Sequence, residues 1–194
     1  MPLSERRGEK FRSVIARRQP DLTVVLENIH DPHNVSAIFR SCDAVGVLRV
    51  ELVYTVERFP RIGRKSSSSA NKWLDRRAHR SVEACYATLH AEGFRIFATR
   101  LSEEARTLYD LDLTGSVALV FGNEHRGVSD EAAEKADAVF SIPMMGMIQS
   151  LNVSVAAAVS LYEALRQRQA GGGYRAPMLP YPERERLFEQ WSKR

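Results

Sequence analysis

Residues 22–36 read LTVVLENIHDPHNVS. Val24, Val25 and Leu26 follow one another without a polar break, which fits a strand covered on both faces, as in a parallel sheet. HDPHN, with Pro32, then turns the chain. Asn34 is placed to cap a helix over 35–45 that Gly46 ends. A second strand follows at 49–55 (RVELVYT). Beyond residue 77 the rhythm resumes with a helix over 82–91, a strand over 94–101 (FRIFATRL) and a short buried strand over 117–121 (VALVF). Then come a helix capped by Ser129 that runs to residue 136, a strand over 138–142, and a long helix over 153–169 capped by Asn152. This alternation predicts an α/β fold, a mostly parallel open sheet with helices on both faces.

The chain has 194 residues, enough for one compact domain with short appendages. Residues 1–18 are basic and read as a helix or arm ending near Pro20. Gly171, Gly172 and Gly173 stop the last long helix, and Pro177, Pro180 and Pro182 keep the chain extended. Residues 183–192 read as a short charged helix with Leu187, Phe188 and Trp191 on one side. The expected division is a basic helical arm over 1–19, a central domain over 20–170, and an extension with a short helix over 171–194. Residues 56–77 show no apolar period. Pro60, Gly63 and four serines stand there among arginines and lysines, so the stretch reads as a long functional or disordered loop.

No run of 18 apolar residues is present, and the polar start MPLSERRGEKFRSV lacks the core of a signal peptide. A cytoplasmic protein without membrane contact is expected. Cys42 and Cys85 belong to no CxxC pair and are expected to be buried, reduced thiols. His30 and His33 are close, yet no third ligand has metal-site spacing, so no metal is expected. The formal net charge of +4 is modest. Its distribution is more informative: Arg6, Arg7, Lys10, Arg12, Arg17 and Arg18 cluster at the start, and a second basic run spans residues 58–80. Residues 103–137 are mostly acidic. Because the basic runs flank the candidate site, a surface facing a nucleic acid is favoured over plain solvated faces.

In open α/β sheets, ligands bind at the carboxyl ends of strands. Three loops there are rich in polar residues: 27–40 (ENIHDPHNVSAIFR), 121–129 (FGNEHRGVS) and 142–154 (IPMMGMIQSLNVS). Asn34 reads either as a helix cap or as a site residue, and Arg40 either as a surface residue or as a functional cation. Gly122 lets a ligand approach bare backbone, with Glu124 beside it. The third loop is apolar enough to surround a flat ring. No GxGxxG, GxxxxGK[ST] or GxSxG pattern occurs, which weighs against dinucleotide enzymes, P-loop nucleotidases and α/β-hydrolases.

Together the three loops resemble the motifs of the SPOUT methyltransferases, most closely those of the TrmH type, the tRNA guanosine 2′-O-methyltransferases. Residues 34–40 (NVSAIFR) look like the first motif, 121–129 like the second, and 142–154 like the third, in the family's order, with the resemblance covering about residues 20–170. It implies a trefoil knot in the C-terminal half, a homodimer with two active sites at the interface, and S-adenosylmethionine as methyl donor with no metal. The nearly all-apolar long helix fits a dimer contact.

The resemblance also implies roles. Arg40 is the catalytic centre. A guanidinium stays protonated, with a pKa above about 12, so electrostatic stabilisation of the developing alkoxide is favoured over base action. Asn34 is expected to position Arg40 or the ribose, and Glu124 to orient a donor or an arginine of the partner subunit. Ser150 and Asn152 are expected to shape the substrate side. The methyl donor is expected on backbone groups near Thr99, Gly122, Ile142 and Leu151. The tRNA is expected across Arg7, Arg12, Arg18, Arg64, Lys65, Lys72, Arg166 and Arg168, and its target is a D-loop guanosine at nucleotide position eighteen. The alternatives are an enzyme of the same class acting on ribosomal RNA or another tRNA position, a non-catalytic RNA-binding dimer, and a small-molecule α/β enzyme.

Overall fold

A computed structural model describes residues 3–61 and 70–194 of the chain. Among the described residues, seven strands form one sheet: β1 (Leu22–Glu27), β2 (Arg49–Val53), β3 (Asp75–His79), β4 (Arg95–Thr99), β5 (Arg106–Thr107), β6 (Val117–Phe121) and β7 (Ala138–Ser141). Their order is β3-β2-β1-β6-β4-β7-β5, and every neighbouring pair is parallel. The helices are α1 (Glu5–Ile15), α2 (Pro32–Ala44), α3 (Val82–Ala91), α4 (Asp130–Glu134), α5 (Val153–Ala170) and α6 (Tyr181–Ser192).

The unbroken apolar runs decide the centre. Every residue of β1 and of β6 is buried, as expected for strands covered on both faces. One face packs Val35, Ile38 and Phe39 of α2 with Ala157, Leu161 and Ala164 of α5. The other packs Cys85, Tyr86 and Leu89 of α3 with Ala132 and Ala133 at α4. Both cysteines are buried free thiols. No helix among the described residues is long and apolar enough to cross a membrane.

Three sequence readings change. The stretch 56–77 is not all loop, because β3 begins at Asp75 and pairs with β2 from Arg49↔Asp75 to Val53↔His79. Its DRRAH sequence hides this: an edge strand buries little, so its backbone ladder forms without an apolar stripe. The two-residue strand β5 was likewise invisible. Helix α2 starts earlier than expected, at Pro32, capped by Asp31, whose side chain accepts from the His33 amide at 2.8 Å. Proline is tolerated at a first helical position. Asn34 therefore lies inside the helix and does not cap it.

The two tails pack against each other. Phe11 and Ile15 of α1 pack with Leu187 and Trp191 of α6, with Trp73 packed alongside. The basic N-terminal segment is thus displayed from a packed helix. Two arginines expected to meet RNA are internal. Arg18 is fully buried and donates to the Val47 carbonyl at 2.8 Å and to Asp43 at 2.5 Å. Arg168 is also buried. It donates to the carbonyls of Leu113 and Gly115 and to Asp21, at 3.0, 2.5 and 2.6 Å. A guanidinium has five donors in a rigid fork, and here carbonyls and carboxylates converge on both, although Arg18 Nε has no partner among the described residues.

Candidate active site

Because all strands are parallel, their carboxyl ends lie on one side of the sheet. There the loops after β4, β6 and β7 surround a cavity of about 630 Å³. Thr99, Gly122, Glu124, Ile142, Ser150, Leu151 and Asn152 all line it. Its size falls within the range of small-molecule sites, roughly 300–1,000 Å³.

The loop after β6 is shaped by its own side chains. Asn123 donates to the Asn28 carbonyl at 2.9 Å, and its Oδ1 accepts from the amides of His125 and Arg126 at 3.0 and 3.3 Å. The Gly127 amide closes the turn on the Asn123 carbonyl at 2.8 Å, and Gly127 has φ +69°. A Cβ on Gly122 would stand 2.1 Å from the Gly127 backbone, so only glycine fits. Glu27, at the end of β1, accepts from the Ser129 amide at 2.9 Å and ties this loop to the sheet.

Glu124 joins the three motif loops. Its Oε2 accepts from the His30 amide at 3.0 Å, and its Oε1 from the Asp31 amide and from Asn34 Nδ2 at 3.0 and 2.9 Å. Partial burial pushes its carboxyl up, and the hydrogen bonds from Asn34, His30 and Asp31 outweigh this, leaving its pKa below the usual glutamate value. Asn34 Oδ1 in turn accepts from Asn152 Nδ2 at 3.1 Å. Asn152 also caps α5, its Oδ1 accepting from the Ser154 amide at 2.9 Å. A chain Glu124–Asn34–Asn152 therefore couples the starts of α2 and α5. Glu124 was expected to orient a methyl donor or a partner's arginine; in the chain itself it fastens the α2 start.

Arg40 stands apart. It is exposed, does not line the cavity, and pairs with no carboxylate among the described residues. Six residues along α2 place it about 120° around the helix from Asn34 at 3.6 residues per turn. Of the residues expected at RNA, Arg7, Arg12, Lys72 and Arg166 are exposed; Arg12 pairs with Glu185 at 2.6 Å and Arg166 with Glu163 at 2.8 Å. Arg64 and Lys65 lie outside the described residues.

Sequence reading missed Asn28, Glu57 and Arg126. Asn28 takes φ +51°, a conformation asparagine tolerates, and its Oδ1 accepts from the amides of Thr55, Val56 and Glu57 at 2.9–3.1 Å. Arg126 lines the cavity and donates to Glu57 at 3.0 Å. An asparagine at a strand end beside a turn cluster was the available signal for Asn28. Nothing in the sequence pointed to the Glu57–Arg126 pair, 69 residues apart.

An all-parallel sheet with three motif loops meeting at its carboxyl edge defines an α/β methyltransferase of the SpoU class: residues 21–162 match the model of the SpoU rRNA Methylase family, and the chain belongs to it. Within that family it is similar to the tRNA (guanosine(18)-2′-O)-methyltransferase of Thermus thermophilus. The two are 45% identical over 98% of this chain and 98% of that one. Its fold matches the crystal structure of the A. aeolicus TrmH/SpoU tRNA modifying enzyme with a TM-score of 0.92, at 39% identity, covering 97% of this chain and 96% of that chain. A TM-score of 0.69 at 29% identity relates 80% of it to 61% of the SpoU methyltransferase AviRb from Streptomyces viridochromogenes, solved in complex with the cofactor AdoMet.

Proposed function

We propose that this chain transfers the methyl group of S-adenosylmethionine to the ribose 2′-hydroxyl of guanosine 18 in the tRNA D-loop, acting in the cytoplasm as a homodimer. The observation that carries this reading is that the second and third motif loops line one cavity while Asn34 of the first is hydrogen-bonded to Glu124 and Asn152 in them, in a chain similar to a guanosine 18 enzyme over nearly its whole length. The same reading threads a trefoil knot through the C-terminal half.

Thr99, Gly122, Ile142 and Leu151 would hold the donor, largely through main-chain groups. The Thr99 hydroxyl already donates to the Val120 carbonyl at 3.0 Å. The apolar walls of Phe140, Ile142 and Leu151 suit an aromatic base. Bound there, S-adenosylmethionine supplies a methyl group already activated on a sulfonium. The protein's part is to hold the 2′-oxygen in line and stabilise the charge left as its proton departs to solvent. Such placement contributes up to roughly 7–11 kcal/mol. The Glu124–Asn34–Asn152 chain holds the α2 start against the cavity, and Ser150 faces it with a hydroxyl unpaired among the described residues. Arg40 binds the neighbouring phosphate and stabilises the developing alkoxide. Since it does not line its own chain's cavity, it serves the cavity of the partner subunit.

The test is incubation with labelled S-adenosylmethionine and an unmodified tRNA transcript, followed by mapping of the methyl group. The expected product is 2′-O-methylguanosine at position 18. Arg40→Ala should abolish transfer while calorimetry still records S-adenosylhomocysteine binding. Methylation only at another nucleotide, or only of ribosomal RNA, would overturn the substrate assignment.

A further inference from the structure

The edge strand divides its cations into two rows. Residues 75–80 read DRRAHR. Arg77 and His79 turn to the face that holds Glu51, a carboxylate with no exposed surface. Arg77 donates to its two oxygens at 2.8 and 3.0 Å and reaches Glu92 at 2.5 Å, and His79 Nε2 lies 2.7 Å from it. Arg49 adds a contact at 2.8 Å. These cations are committed to a buried carboxylate that would be costly to leave unpaired.

Arg76 alternates onto the opposite face, and Arg80 directly follows the strand. Both are exposed and neither has a hydrogen-bond or carboxylate partner among the described residues. The same holds for Lys72 in the 3-10 turn before the strand and for Arg58 and Arg61 beyond β2. No strand pairs with the outer side of β3 among the described residues. Arg80 lies at the carboxyl end of the sheet, the same side as the cavity. From β3 to β6 there are three strand spacings, roughly 14 Å, well within one bound RNA.

We infer that Arg76 and Arg80 are phosphate-binding residues for the RNA substrate, and that the basic run is split by strand alternation into a row that holds the fold and a row that holds RNA. This rests on the tRNA reading above. The competing account is that charge on this edge only blocks strand-to-strand aggregation. The two differ in salt dependence, because each phosphate contact contributes roughly 0.7–0.9 to the slope of log K against log salt.

Binding of an unmodified tRNA transcript to the full chain, measured by anisotropy across a salt series, decides between them. Arg76→Gln with Arg80→Gln should weaken binding on the order of tenfold at 0.1 M salt and make the slope shallower by about 1.5, with the melting temperature unchanged. Arg77→Gln should lower the melting temperature and leave the slope alone. A double variant that keeps the wild-type affinity and slope overturns the assignment while the tRNA reading stands, and so does an Arg77 variant that flattens the slope equally. If the wild-type chain binds no tRNA at any salt, the substrate reading fails and this surface assignment falls with it.

Discussion

Glu124 is acceptor-only while ionised, and its two oxygens take up three donors, two of them main-chain amides at the entry to α2. A carboxylate there also suits the positive end of the helix. Its lowered pKa has a definite linkage sign. The stabilisation is fully present above the ordinary glutamate value and is lost as pH falls through the lower folded value. Glu124→Ala leaves three donors to water or to nothing, and should cost about 1–3 kcal/mol. The expected readout is a lower melting temperature at pH 7 and a gap from wild type that narrows in acid. A pH-independent gap would show that shape and not charge carries the effect. Asn34 teaches a related point: the residue type that caps helices was present, but Asp31 does the capping, which leaves Asn34 to bridge Glu124 and Asn152.

Helix α6 is held by a small aromatic cluster. The Trp191 ring lies 5.9 Å from that of Phe11 and 5.0 Å from that of Trp73, and the buried Arg18 guanidinium sits 5.1 Å over it. Trp73 directly precedes the approach to β3, so the C-terminal helix braces the end of the basic segment as well as α1. Trp191→Ala should remove about 3–5 kcal/mol from this cluster. The expected result is faster hydrogen exchange over residues 181–192 with β1 and β6 still protected, because terminal elements open before the core. Equal loss of protection in all of them would mean that α6 is part of the cooperative unit.

Across the whole molecule, one face of α5 is buried and the other is not. Ala157, Leu161 and Ala164 pack in the core, yet Val155 and Tyr162 are exposed, and the loop before the helix exposes Met145, Met147 and Ile148. The nearly all-apolar character of this helix fits a dimer contact, and in the single chain Val155 and Tyr162 remain in water. The homodimer proposed above would cover that face and bring Arg40 to the second cavity. Val155→Asp with Tyr162→Asp should yield a folded monomer by sedimentation that retains its circular dichroism and loses methyl transfer. A dimer that persists in this variant would place the interface elsewhere.

The strands and helices that build the core were legible because burial on both faces demands unbroken apolar runs, and helix ends demand caps such as Ser129 and Asn152. The motif loops were legible as clusters of residues that a plain turn does not need. What the sequence left open depends on pairings distant along the chain. Strand β3 exists through backbone bonds to β2 that any residue can make, so its side chains carried no signal. Arg18 and Arg168 read as surface cations, and only the tertiary structure, by bringing carbonyls and carboxylates around each guanidinium, made them part of the interior.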